Sequence, residues 1–291
     1  MRTPDLRPSK SHRDENFPVA SFLLAPQYRR PILDFYRFAR MADDVADHPA
    51  LAPDQKIALL DRMEADLDGK ATLDTEAATL RTTLNARGLS DDNARLLLCA
   101  FRQDATTNRY HSWLELMDYC AHSAMPVGRF VLDLHGESRA ARNASDAICA
   151  ALQIINHLQD CAQDYRRLDR VYIPLDALRR EGACVEHLSA TSATAPLLNT
   201  IHQLAARADQ LLDMGEGLAT QVSDWRLARE IEVIMALARN NVARLRVEDP
   251  LQGGGRTRKP KALFITMATL IRSLCIAHTD KDKRTADDTS L

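Results

Sequence analysis

The chain reads as an all-α protein, and three observations carry that reading. Apolar residues recur at three- and four-residue spacing almost throughout, with little of the alternation a strand would show. Gly and Pro number only 10 and 12 in 291 residues, whereas an all-β chain needs a turn about every ten residues. No fixed repeat and no linker divides the chain, so a single helical domain is expected over residues 16–278. Residues 1–15 are expected to form a flexible tail and residues 279–291 a disordered one, since both are polar and charged.

The helices follow in order from periodicity and end signals. The first, 31–47, opens at Pro31, whose fixed φ suits a first turn. Pro53-Asp54 opens 54–68, and Gly69 stops it. The third, 72–87, ends before Gly88, and Ser90-Asp91-Asp92 marks the start of 90–108. Runs at 112–123 and 126–136 meet at Pro126 and Gly128, which interrupt a helix as an inert kink or as one beside a pocket. Asn143 precedes 144–167, Gly182 is a further stop, and 193–221, 225–247 and 260–278 complete the set. Gly253-Gly254-Gly255 follows no strand and the chain lacks G-x-G-x-x-G, so no nicotinamide fingerprint is present.

Charge excludes some functions. Lys and Arg total 38 against 40 Asp and Glu, a net −2, and a nucleic-acid binder would carry a basic excess. The six cysteines (99, 120, 149, 161, 184 and 275) have no zinc or C-x-x-C spacing and sit in apolar contexts, as expected of core thiols in a reducing cytosol. The first fifteen residues contain no apolar run and hence no secretory signal. The apolar stretch Ala262 to Ile271 is ten residues, too short to span a bilayer. A cytoplasmic protein is expected. Arg258, Lys259 and Lys261 ahead of the last helix would suit peripheral contact with the inner membrane, and a buried terminal helix explains that run equally well.

Two polar stripes stand out. Tyr36, Arg40, Asp43 and Asp47 lie at i, i+4, i+7 and i+11, with Asp44 beside them, on a helix otherwise apolar through Phe35, Phe38, Met41, Ala42 and Val45. A solvated face with Arg40 paired to Asp43 or Asp44 would explain this helix alone. A matching stripe, however, recurs as Gln153, Asn156, Asp160 and Asp164 among Leu152, Ile154, Ile155, Leu158 and Ala162. Short carboxylates facing one another on two buried helices cannot all stay ionised without a cation. Mg2+ fits best, because it takes hard oxygen ligands and typically shares them with substrate phosphates. Two or three ions with Arg37 and Arg40 would draw off a diphosphate leaving group and leave a carbocation.

At these residues the sequence resembles the squalene/phytoene synthase family. The matching pieces are Tyr36-x-x-x-Arg40-x-x-Asp43-Asp44-x-x-Asp47, Tyr119-Cys120, Leu152-Gln153-x-x-Asn156-x-x-Gln159-Asp160-x-x-x-Asp164, Arg170-Val171-Tyr172-Ile173-Pro174 and the basic stretch from Arg258. The resemblance implies an all-helical isoprenoid-synthase fold with a central cavity, and a prenyl diphosphate substrate. It implies that Asp43, Asp44, Asp47, Asn156, Asp160 and Asp164 hold Mg2+. It places Arg40 and Tyr172 beside the reacting diphosphate, and Tyr36, Arg37, Gln153, Tyr119 and Arg258 among the substrate-binding groups. The segment from Asp164 to Tyr172 is one residue longer than the family usually has.

Two segments, Glu15 to Leu24 and Ala121-His122-Ser123-Ala124-Met125-Pro126-Val127-Gly128-Arg129, look like the bacterial hydroxysqualene synthase branch. That branch implies presqualene diphosphate as substrate, water capture of the cation, no nicotinamide cofactor, and other squalene-pathway enzymes as partners. Water needs a polar opening in an apolar cavity. Ala121 with His122 and Ser123 is expected to supply it, with His157 a second candidate, although a structural role would explain either histidine. Phe17, Phe22, Phe35, Phe38, Phe101, Trp113 and Phe130 would line a prenyl cavity or simply fill the core. The rival functions are a synthase joining two prenyl diphosphates head to head and a non-catalytic assembly factor; both Asp motifs are intact, which favours catalysis.

Overall fold

A computed structural model describes residues 23–70, 75–257, 261–262 and 265–269. Up to Leu245 the described residues form eleven α-helices: α1 (Pro26–Ala46), α2 (Pro53–Leu67), α3 (Thr75–Arg87), α4 (Asp92–Asp104), α5 (Trp113–Ser123), α6 (Met125–His135), α7 (Arg142–Leu168), α8 (Leu175–Glu181), α9 (Ala195–Gly215), α10 (Leu218–Gln221) and α11 (Trp225–Leu245). Residues 261–262 and 265–269 are also helical, within the expected 260–278 run. The rest of that run, both expected tails, Phe17, Phe22 and Arg258 lie outside the described residues. Among the described residues there is no strand, only an isolated parallel bridge between Arg109 and Val171.

Several boundaries differ from the sequence expectation for physical reasons. Helix α1 starts at Pro26 and runs through Pro31. Pro31 has no N–H for the carbonyl of Gln27, four residues back; the Arg87 guanidinium of α3 donates to that carbonyl at 2.7 Å instead. The expected 193–221 helix breaks at Gly215, where α9 lies so close to α7 that a Cβ would meet Ile148 Cγ1 at 2.3 Å. Helix α8, only seven residues long, is too short to show a period, and only its stop at Gly182 is legible in the sequence.

The longest helix organises the molecule. Helix α7, 27 residues, packs against α5, α6, α9 and α11. Its first turns join an apolar cluster built by α1–α4 and α6; its later turns join a second one with α5, α8, α9 and α11. In the first cluster Phe35 stacks on Phe130 with centroids 4.0 Å apart, and Phe38 is fully buried. These three rings are core, as is expected for aromatics at helical spacing. Trp113 instead lies under the Arg207 guanidinium. Among the described cysteines Cys120 and Cys161 are buried free thiols, but Cys99 and Cys184 are exposed, contrary to the core placement expected for Cys99.

Polar ties register the helices. Asp34, 2% exposed, accepts from Arg30 of its own helix and from Thr83 Oγ1 of α3 at 2.9 Å. Glu64 of α2 receives Arg95 and Arg102 of α4 at 3.0 and 2.5 Å. After α7 the chain turns at Asp169, φ 50°, a left-handed value that Asp tolerates better than most side chains. It then runs beside residues 108–111, with Val171 N–H donating to Asn108 and Leu175 N–H to Tyr110. That pairing carries Arg170 and Tyr172 to the C-terminal end of α4.

Candidate functional site

Between the two apolar clusters lies a cavity of about 560 Å³. One face of α7 supplies a wall: Ser145, Ile148, Cys149, Leu152, Gln153, Asn156, His157, Asp160 and Asp164. These follow at steps of one, three and four, as a 3.6-residue period requires for one face. From Ser145 to Asp164 that wall is about 29 Å long at 1.5 Å per residue. Helix α1 faces it with Ile32, Tyr36, Ala39, Arg40, Asp43 and Asp47. The two polar stripes of the sequence therefore meet across one cavity, carboxylates at one end and apolar side chains (Ile32, Val131, Leu132, Ile148, Leu227, Ile231) over the remainder.

The carboxylate end is electrostatically strained. Burial, then the neighbouring Asp47, pushes Asp43 up to about 7, although Arg40 opposes the shift. Burial and Asp47 likewise raise Asp164 to about 7, against the pull of Arg170. Arg40 donates to Asp43 and Asp44 at 2.7 Å each. That is the local pairing open to it from sequence, yet here it occurs on the cavity wall. Asp160 receives the Arg256 guanidinium from the Gly-rich loop, and Gln159 Nε2 donates to the Gly255 carbonyl at 2.8 Å.

Behind these carboxylates sits a buried network that the sequence did not reveal. Asp104, 5% exposed at the end of α4, accepts hydrogen bonds from the Tyr119 and Tyr172 hydroxyls, both at 2.8 Å. Arg170, also 5% exposed, donates to Asp47 at 2.9 Å, to Tyr172 at 3.2 Å and to the Asp104 carbonyl at 2.9 Å. Burial raises Asp104 to about 6 despite Arg170 and the two hydroxyls. The Tyr172 ring is stacked on one side by His157, centroids 3.5 Å apart, and lies 5.5 Å from Tyr110. Burial, then the Arg170 charge, pushes His157 down to about 3, so the imidazole is neutral at physiological pH.

Of the residues singled out in the sequence, Tyr36, Arg40, Asp43, Asp47, Tyr119, Gln153, Asn156, Asp160, Asp164 and Tyr172 all line this cavity. Three do not. Arg37 is exposed, 3.8 Å from Asp34. Asp44 points its carboxylate at Arg40, off the wall. His122 bonds through Nδ1 to the Asp118 carbonyl at 2.9 Å, as helical geometry allows at i−4, and this keeps its ring off the wall. In that segment Ser123 and Ala124 face the cavity while Ala121 and His122 do not. Of the aromatic candidates that the structure describes, Phe101 lines it. Asp104 and Arg256 carry no sequence expectation, and Arg170 enters the sequence reading only as the first residue of the Arg170 to Pro174 motif, without a role. For Asp104 a signal existed: a carboxylate in the last turn of a helix opposes the helix dipole and asks for a reason.

Among the described residues no three His, Cys, Asp or Glu side chains converge into a site able to hold a metal ion by themselves. The facing donors are carboxylate and amide oxygens. A soft or closed protein-only site is thereby disfavoured, whereas a hard cation completed by phosphate oxygens suits the arrangement.

Residues 10–262 match the squalene/phytoene synthase family. The hydroxysqualene synthase of Sinorhizobium fredii is 52% identical over 246 residues, 84% of each chain. That of Rhodopseudomonas palustris is 50% identical over 247 residues, 85% of each chain. Among solved structures, a squalene synthase from Alicyclobacillus acidocaldarius superposes with a TM-score of 0.69 at 31% identity, covering 77% of this chain and 85% of that one.

Proposed function

The chain belongs to the squalene/phytoene synthase family, and on that footing we propose that it converts presqualene diphosphate and water into hydroxysqualene and diphosphate. The observation that carries this is the face of α7, which runs from carboxylates to apolar side chains along one continuous wall. Such a wall seats a diphosphate at one end and a long hydrocarbon along the remainder. The identity of half or more with two hydroxysqualene synthases supports water, and not hydride, as the quenching reagent.

Asp43, Asp47, Asn156, Asp160 and Asp164 would hold Mg2+ jointly with the substrate diphosphate. When bound, Mg2+ neutralises the carboxylates and the charge that develops on the leaving group. Asp44 contributes indirectly, by orienting Arg40. Arg40, Tyr36 and Gln153 bind the diphosphate end. Arg170, fixed by Asp47 and Asp104, sets the position of that end relative to α7. Tyr172 acts as a support, because its hydroxyl and one ring face are already engaged. The apolar wall excludes bulk water from the cation, so only a held water molecule can reach it. A long apolar alcohol needs an apolar acceptor, which peripheral contact with a membrane provides; among the described residues no helix is long and apolar enough to cross one.

Purified full-length chain with Mg2+ should form hydroxysqualene from presqualene diphosphate. Formation of squalene with added nicotinamide cofactor, or of phytoene, or absence of any turnover, refutes the reading. Asp160→Ala should abolish turnover while far-ultraviolet circular dichroism is unchanged.

A further inference from the structure

The polar atoms of the cavity wall differ in how fully they are engaged. At the carboxylate end Tyr119, Tyr172, Arg170, Asp104 and Asp160 all have protein partners. Farther along α7 the wall is apolar. Apart from charged side chains, two polar atoms of the lining residues are buried without a hydrogen-bond partner among the described residues: His157 Nε2 and Ser123 Oγ. Both residues line the cavity. Buried polar atoms are nearly always satisfied, so an orphan pair on a cavity wall points to a ligand or a water.

Tyr119 links the two. On α7, His157 follows Gln153 by four residues and precedes Asp160 by three, which sets it among the diphosphate-facing groups, within about a turn and a half of the apolar Leu152. On α5, Ser123 follows Tyr119 by one turn, and the Tyr119 ring centroid is 5.9 Å from that of His157. The imidazole is held in orientation. Tyr172 stacks on it at 3.5 Å and 18°, and Tyr172 is itself fixed by hydrogen bonds to Asp104 and Arg170. A ring that lines a cavity, is held by stacking and keeps one nitrogen unpaired among the described residues is suited to aiming one water molecule.

We propose that His157 is the positioning residue for the capturing water, holding it through Nε2 with Ser123 Oγ as the second contact. This rests on the water-capture reading above. The carbon–oxygen bond to diphosphate breaks and its electron pair leaves on the diphosphate; the cyclopropylcarbinyl cation left behind rearranges and its ring opens, a ring carbon–carbon bond supplying the electron pair of the new double bond. A lone pair of the held water then forms the new carbon–oxygen bond, and the proton that water sheds passes to the released diphosphate. No reductant takes part. The two nitrogens of His157 matter unequally in this arrangement, which gives the proposal a directional test.

The full-length chain is given Mg2+ and presqualene diphosphate, and both diphosphate release and the partition between hydroxysqualene and proton-loss hydrocarbons are measured. His157→Gln, whose amide reaches the Nε2 position, keeps hydroxysqualene as its main product. His157→Asn reaches only the Nδ1 position and His157→Phe offers no polar atom. In both, diphosphate is still released while the hydroxysqualene-to-hydrocarbon ratio falls about tenfold, the worth of one hydrogen bond. Ser123→Ala shifts the ratio the same way by less. An unchanged ratio in the Asn and Phe variants overturns the role of His157 and leaves the water-capture reading standing. A proportional loss of all products in every variant, Gln included, is the mark of a merely structural residue and also overturns it. Hydrocarbon alone from the unmodified chain overturns both readings together. Should His157→Phe fail to fold, the contrast between Gln and Asn decides.

Discussion

Asp164 shows what individual side chains contribute. It sits on the cavity wall with Asp43, Asp47 and Asp104 as like-charged neighbours, and burial compounds their repulsion. Such a carboxylate is kept at the expense of stability, a pattern typical of functional sites. Asp164→Asn is therefore expected to raise the thermal midpoint of the metal-free chain at pH 7.5, by about 2–4 °C if the relief is near 1 kcal/mol. The same variant should lose about 100-fold or more of its Mg2+-dependent turnover. Melting curves and a diphosphate-release assay check the two halves, and a lowered midpoint would make Asp164 a structural residue. The stripes were legible because helical spacing alone puts Asp43 with Asp47 and Asp160 with Asp164. The pairing of Asp104 with Arg170 was not, because the hydrogen bond that joins them spans 66 positions in sequence.

At the scale of elements, α7 and the Gly-rich loop depend on one another. Gln159 binds the Gly255 carbonyl, Arg256 reaches Asp160, and Thr257 is fastened to Asn241 of α11 through its N–H at 2.9 Å. Gly255 has φ +82°, and an added Cβ would meet Leu245 Cδ2 at 2.5 Å. Gly253 has φ +79° with nothing within 4 Å. Gly253→Ala should thus cost only the left-handed penalty, about 1–2 kcal/mol. Gly255→Ala adds overpacking, about 1–3 kcal/mol more, and displaces the carbonyl that Gln159 holds. Urea unfolding should rank the two, and turnover should fall in Gly255→Ala alone. Equal effects would show that the loop tolerates displacement. The triple Gly was visible in the sequence, but its target was not: only the folded chain brings residues 255 and 159 together.

Across the whole molecule the titrating cluster links stability to pH. Asp104 near 6 and Asp43 and Asp164 near 7 lie above the ordinary carboxylate value of 3.8. Between about pH 4 and 7 the folded chain therefore binds more protons at these sites than the unfolded chain does. Their contribution to stability is complete below the unfolded value and is lost as pH rises through the folded ones. A divalent cation with diphosphate should reverse that loss, because it favours the ionised carboxylates. The rise in thermal midpoint on adding Mg2+ and inorganic diphosphate is expected to be larger at pH 7.5 than at pH 5. An equal rise at both values would mean that the cluster does not take up the ion.

By itself the sequence determined the helical class, most helix ends, and the two stripes that meet across the cavity. Each of these is local: period, capping chemistry and i, i+3, i+4, i+7 spacing act within one helix and need no partner. Only the tertiary structure decided what backs those stripes. It tied Arg170 to Asp47 and Asp104, turned His122 away from the wall, left His157 Nε2 buried without a partner among the described residues, and ran α1 through Pro31 by lending Arg87 to the Gln27 carbonyl. These contacts join residues 4 to 123 positions apart; those of Arg170 exist because packing around the end of α4 buries polar groups that must then find partners in space, and that of Arg87 exists because α3 lies beside α1.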